Sequence, residues 1–226
     1  MKIAVIGTGM VGQAIAARLD ELGHDVSVGT RDVTSALART ASAGAGEGAF
    51  GDWAKAHPTV GVADLGSAAD GADLVVNATP GTVSLSALAE VGKENLTGTI
   101  LLDISNPLDF SQGFPPTMFV KDTDSMGEQI QAAFPSARVV KTLNTMTAEL
   151  MVRPRQLADA QHTVFVSGDD PDAKAVVIEL LTSMGHTDVM DLGDLPTCRG
   201  TEMFLPLWLR IMGALGTGMF NVKVVR

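Results

Sequence analysis

Three glycines, at 7, 9 and 12, stand directly behind the apolar run 2–6, and the second such run, 25–29, ends in Thr30 and Arg31 rather than in an acid. That spacing suits one task, holding a pyrophosphate. Gly7 permits a tight turn out of a strand, Gly9 lets the backbone approach an anion, and Gly12 allows the following helix to lie close on the sheet. The phosphates then rest at a helix N-terminus, whose first-turn N–H groups and positive dipole end favour negative charge. A bare ribose 2′-hydroxyl needs an acidic acceptor at the end of the second strand, whereas a 2′-phosphate needs an arginine and small donors. Thr30 and Arg31 meet the second requirement, so the nucleotide is read as NADP. The competing reading leaves Arg31 a surface charge paired with Asp32.

The elements that must position these residues alternate along the chain. Helix-like stretches are predicted over 10–22, with Val11, Ile15, Leu19 and Leu22 on one face, and over 33–41, 65–71, 82–91, 125–134 and 171–184. Strands are predicted over 60–63, 73–78, 99–104, 138–143, 163–167 and 187–190, and a mobile Gly/Ala loop over 42–51. Such alternation implies right-handed crossovers and a doubly wound parallel sheet of about eight strands, an α/β Rossmann NAD(P)-binding fold. Residues 1–198 form the NADP-binding domain in this reading. Residues 199–226 form a C-terminal helical extension with more apolar surface than one helix face can hide, which covers the cleft or the second copy in a homodimer.

Composition narrows the partners. Sixteen basic against 26 acidic residues give a net charge of −10, which argues against nucleic acid or anionic membranes as partners. The single cysteine, Cys198, excludes an internal disulfide and a cysteine-only metal cluster, and reads as a small, partly buried side chain. A first strand beginning at residue 2 leaves no room for a leader, so a cytoplasmic location is expected. The apolar stretch 203–220 contains Pro206, Arg210 and glycines at 213, 216 and 218, and reads as a packing helix, not a membrane span.

Ligands of an open parallel sheet lie beyond the carboxyl ends of its strands. That places Ala78, Thr79 and Pro80 after the fourth strand, Ser105 and Asn106 after the fifth, and Asn144 and Ala148 after the sixth. Ser105, Asn106 and Asn144 offer neutral donors and acceptors to a nicotinamide amide or a flat heterocycle, and serve equally well as turn formers or caps. The loop 107–124, with Phe110, Phe114, Pro115 and Pro116, could be a lid over a substrate. With no tyrosine in the chain, the Tyr–Lys pair of short-chain dehydrogenases cannot exist. The four histidines make no metal-ligand spacing and are expected at the surface or at caps, with His162 and His186 at strand starts, the end of the sheet away from the ligand.

The chain resembles the coenzyme F420-dependent NADP oxidoreductases, and is similar also to the cytosolic domain of six-transmembrane ferric reductases. The resemblance is carried by residues 7–12, 28–31, 102–106, 134–141 and 191–195, and by the Leu/Met-rich end. It implies that the pyrophosphate lies on Thr8, Gly9, Met10 and Val11, the 2′-phosphate on Thr30 and Arg31, and the nicotinamide near Thr79, Val83, Asn106 and Ala148. One position departs from it: the deazaflavin reductases carry His where this chain has Asn144, and asparagine there is more like the ferric-reductase branch. The implied activity is hydride transfer between NADP(H) and coenzyme F420, a deazaflavin, with no catalytic side chain required. An NADPH-dependent flavin, ferric or small-molecule reductase and a non-catalytic NADPH-sensing module are the alternatives. An acidic deazaflavin would also need local cations, for which Arg153, Arg155, Arg199 and Arg210 are candidates.

Overall fold

The computed structural model describes residues 1–41 and 48–226, so most of the loop expected over 42–51 lies outside the described residues. Strand β1 (Lys2–Ile6) is buried on both sides because its side chains alternate between two cores. Ile3 and Val5 pack with Ile15 and Leu19 of helix α1 (Met10–Glu21). Ala4 and Ile6 face the other way, toward Leu65 and Leu88. Each such fully buried isoleucine or leucine contributes roughly 1.5–3 kcal/mol, so the strand's register is firmly set.

Beyond α1 come β2 (Asp25–Thr30), α2 (Val33–Ala38), α3 (Phe50–Ala56) and β3 (Gly61–Asp64). Next are α4 (Leu65–Ala69), β4 (Leu74–Asn77), α5 (Gly81–Val91), α6 (Lys93–Leu96) and β5 (Ile100–Asp103). The segment expected to be a lid carries a two-stranded hairpin, β6 (Leu108–Asp109) and β7 (Thr117–Met118). Helix α7 (Met126–Ala133) opens on a reciprocal cap in which Ser125 and Glu128 bond each other. Strand β8 (Arg138–Thr142) follows, then a short helix α8 (Ala148–Val152), β9 (Thr163–Ser167), α9 (Pro171–Met184) and β10 (Asp188–Asp191). Asp170 caps α9 and Gly185 closes it with φ 113°, the start and stop signals visible in the sequence. Helices α10 (Cys198–Met203) and α11 (Leu205–Leu215) are joined through Phe204, itself in a helical conformation.

The eight-stranded sheet has the order β3-β2-β1-β4-β5-β8-β9-β10. The first six strands in this order are parallel, as expected. The last two correct the all-parallel reading: β9 runs antiparallel to β8, and β10 parallel to β9. The reason lies in the connection. A parallel return needs a crossover helix along the sheet face, but 148–160 form only α8 and two single turns of 3-10 helix, and α8 packs on α1 instead. The register pairs Lys141 with Ser167 and Thr142 with Val166, so β9 begins beyond the carboxyl end of β8. The starts of β9 and β10 therefore lie at the same end of the sheet as the carboxyl ends of the other six strands.

Candidate active site

A cleft of about 1350 Å3 runs along those carboxyl ends. That exceeds the roughly 300–1000 Å3 of a pocket for one small ligand. All the residues selected from the sequence line it except Gly12: Gly7, Thr8, Gly9, Met10 and Val11 on one wall, Thr30 and Arg31 at one end, and Ala78, Thr79, Pro80, Val83, Ser105, Asn106, Asn144 and Ala148 toward the other. Gly12 sits behind the wall, where a Cβ would come within 2.0 Å of the Gly7 carbonyl oxygen. Its role is packing.

The other two glycines differ in kind. Gly7 has φ 125° and its Cβ would meet the Ala78 carbonyl at 2.7 Å, so the turn requires glycine. Gly9 has an ordinary φ of −79°, and a Cβ there would meet nothing within 4 Å. It is the N-cap of α1 and no side chain bonds the helix end. The fold leaves that volume open in front of the first N–H groups of α1.

At the mouth, Arg31 is exposed and has no ion pair among the described residues. Asp32 turns away to cap α2, accepting from the Ser35 backbone at 2.9 Å and the Ser35 hydroxyl at 2.6 Å. Those bonds hold its carboxyl below the usual carboxylate range. The structure thus disfavours the Arg31–Asp32 pair and leaves Arg31 without a carboxylate partner at the mouth among the described residues. A second cation escaped the sequence reading: Arg39 crosses the mouth and donates to the Thr8 hydroxyl at 2.5 Å. No motif marks it, since α2 and the chain after it set its direction.

Toward the other end, the Asn106 and Asn144 amides bond each other's residues at 2.9 and 3.0 Å, joining the loops after β5 and β8. The wall there is mostly apolar, with Leu108, Phe110, Met146, Met151, Leu205 and Trp208. The Thr79 hydroxyl donates to Asn77 Oδ1 at 2.6 Å, and the Asn77 amide donates to Asp103 at 2.8 Å. Behind this lies the feature the sequence reading missed: Lys141, wholly buried, 2.7 Å from Asp103 and 2.8 Å from Glu202. Burial pulls the ammonium's pKa down, but the two carboxylates outweigh it and raise the pKa above the ordinary lysine value. The signal is in the sequence, a lysine and an aspartate inside two apolar runs, 138–143 and 99–104, read as strands of a parallel sheet.

Three expectations are corrected. His162 and His186 lie at the ligand end of the sheet, because their strands are reversed, yet both are buried behind α8 and bond the carbonyls of Pro154 and Met151. Arg153, Arg155 and Arg199 are engaged by Glu21, Asp159 and Glu128, and neither they nor the exposed Arg210 reach the cleft. The Gly/Ala stretch was extended too far, since Phe50 and Gly51 begin α3. Cys198 is fully buried, and burial pushes its thiol up to about 12 even though Lys141 acts in the opposite sense. Among the described residues, no cluster of histidine, cysteine or acidic side chains could hold a metal ion.

Fold and cleft together define a dinucleotide-binding α/β protein of the Rossmann kind. Comparison makes this particular. The family model for coenzyme F420-dependent NADP oxidoreductases matches residues 2–107. A solved structure from Arthrobacter sp. FB24, assigned to the F420-dependent NADP reductases, is 56% identical over the whole of both chains, with a TM-score of 0.95. The F420-dependent NADP reductase of Methanocaldococcus jannaschii is 29% identical over 209 residues, 92% of this chain and 90% of that protein. Metalloreductase STEAP3 of Rattus norvegicus is 28% identical over 97% of this chain, which spans only 40% of that relative's length. The chain belongs to the F420-dependent NADP reductase family and is an NADP-dependent oxidoreductase.

Proposed function

We propose that this chain binds NADP(H) along the cleft, with the pyrophosphate at Gly9 and the 2′-phosphate at Thr30 and Arg31, and exchanges hydride with coenzyme F420. The observation that carries this reading is where the cleft's charges sit. The titratable groups on its wall, Arg31, Asp32 and Arg39, all lie at the β2 end, while the nicotinamide end is built from amides, hydroxyls and apolar side chains. A carbonyl or alcohol substrate would need a proton donor or acceptor there. Hydride exchange between a deazaflavin and a nicotinamide is chemistry supplied by the two rings, and needs only alignment and exclusion of water. The protein's part falls to the Asn106–Asn144 bridge, which fixes the loops beneath the rings, and to Met146, Met151, Leu205 and Trp208, which exclude water.

The test is anaerobic incubation of purified protein with reduced F420 and NADP⁺, and with oxidised F420 and NADPH, following deazaflavin absorbance. Rapid exchange in at least one direction is expected; none in either overturns the assignment. A second reading, an NADPH-dependent flavin, ferric or small-molecule reductase, is favoured by asparagine at 144 and by the similarity to STEAP3 across nearly the whole chain. NADPH consumption with flavin, ferric chelate, quinone, imine and carbonyl acceptors separates the two.

A further inference from the structure

The Lys141 ammonium is wholly buried, and its three protons have three acceptors: Asp103 on β5, the carbonyl of Ser105, and Glu202 on α10. Glu202 also accepts from the backbone N–H groups of Met126 and Gly127 at 2.9 and 3.2 Å, the first turn of α7. Two carboxylates and one ammonium thus lie buried together, the excess negative charge resting against a helix N-terminus. Well-packed apolar side chains would stabilise the same volume as well or better. What an ion pair adds is a single permitted position, because sliding α10 by one turn would strand a charge.

That position matters to the cleft. The backbone stays helical from Cys198 through Phe204 to Leu215, so Trp208 lies about 9 Å along the helix from Glu202 at about 1.5 Å per residue. Leu205 and Trp208 are the residues of this segment that reach the cleft. On the opposite side, the Ser105 carbonyl held by Lys141 adjoins Asn106, which is bridged to Asn144, three residues beyond Lys141. One ammonium therefore fixes both walls. Two polar atoms of cleft-lining residues, Ser105 Oγ and Trp208 Nε1, are buried with no hydrogen-bond partner among the described residues. Leu205 and the Trp208 indole give that wall an apolar face that suits a flat ring.

We propose that Glu202 is a positioning residue for the electron partner: locked to Lys141, it holds Leu205 and Trp208 at the distance from Ser105 that admits a flat heterocycle. This deepens the reading of the cleft as a hydride-exchange site and rests on it. NADP(H) affinity depends little on the lock, because the glycine turn and Thr30-Arg31, which hold the phosphates in this reading, lie on other elements.

The full chain carrying Trp53→Phe has Trp208 as its one tryptophan, and is compared with and without Glu202→Gln. Glu202→Gln is expected to shift Trp208 emission to the red, increase its quenching by acrylamide, and raise the KM for F420 about tenfold or more. The dissociation constant of NADPH, read from NADPH fluorescence, stays within about twofold. Unchanged Trp208 emission and quenching overturn the proposal, as does an equal loss of NADPH affinity, which marks general damage. Failure of the underlying reading looks different: the parent then exchanges no hydride with F420, while the Trp208 comparison still decides whether Glu202 holds the wall. If Glu202→Gln does not fold, hydrogen exchange in the unaltered protein decides. Amides of 199–209 protected like those of β5 and β8 support the lock, and exchange at the rate of an unstructured peptide overturns it.

Discussion

Gly9 and Gly12 belong to one motif but answer to different constraints, and two alanine substitutions separate them. Gly12→Ala would place a methyl 2.0 Å from the Gly7 carbonyl oxygen, and about 3 kcal/mol of destabilisation or more is expected in urea unfolding. Gly9→Ala meets no protein atom and keeps an allowed backbone, so stability should stay within about 0.5 kcal/mol while NADPH affinity falls. Equal melting temperatures for the two variants would count against this division. Arg31→Ala should weaken NADPH more than NADH, by about 1–3 kcal/mol, if its charge-assisted bonds go to the 2′-phosphate. Arg39→Ala should weaken both nucleotides alike, because Arg39 bonds Thr8 in the glycine turn. Titration of each variant with both nucleotides checks the pair of expectations. At this scale the sequence was informative wherever a contact is local: the glycine turn, Thr30-Arg31, and the cap of α9 follow from neighbours within a few residues. Arg39, Lys141 and Glu202 act across 31, 38 and 61 residues of chain, to Thr8, Asp103 and Lys141, and no short pattern records those pairings.

The strands and longer helices were legible from apolar periodicity, whereas the direction of β9 and β10 was not. Periodicity gives the presence of an element, and direction depends on whether the connection can lie along the sheet. The 20 residues 143–162 had the length for a crossover, yet their helical pieces are too short to make one. Reversal moves His186 beside α8, buried, with Nε2 on the Met151 carbonyl at 3.0 Å and Nδ1 without a partner. Burial lowers its pKa to about 4 from an ordinary 6.5, against the opposing pull of the Met151 bond. The folded state therefore resists a proton that the unfolded chain accepts. Stability from this group is complete above pH 6.5 and declines as pH falls from 6.5 toward 4, by about 3 kcal/mol in all. Urea midpoints at a series of pH values should show this slope, and His186→Gln should flatten it; an unchanged slope in the variant would refute the assignment.

For the molecule as a whole, the net charge of −10 coexists with a cleft whose cations are confined to one end, so nucleotide attraction is local and not a long-range field. No helix among the described residues is long and apolar enough to cross a membrane. Leu207 and Leu215 of α11 are more than half exposed, at 55% and 57%. The homodimer expected from the sequence would cover such a face. Sedimentation equilibrium over a range of concentrations tests it, and a mass of 23.5 kDa throughout would exclude it.

The reversed strands also decide where the two ends of this chain emerge. Lys2 opens β1 at the end of the sheet remote from the cleft, while the tail beyond α11 returns to the start of β9. There Val222 and Val224 bond Thr163, and Lys223 and Arg226 pair with Asp188 at the start of β10. A partner domain fused before Met1 would hang from the far side of the molecule. One fused after Arg226 would begin at the cleft end of the sheet, so the tail is the point from which to attach a second redox protein on that side.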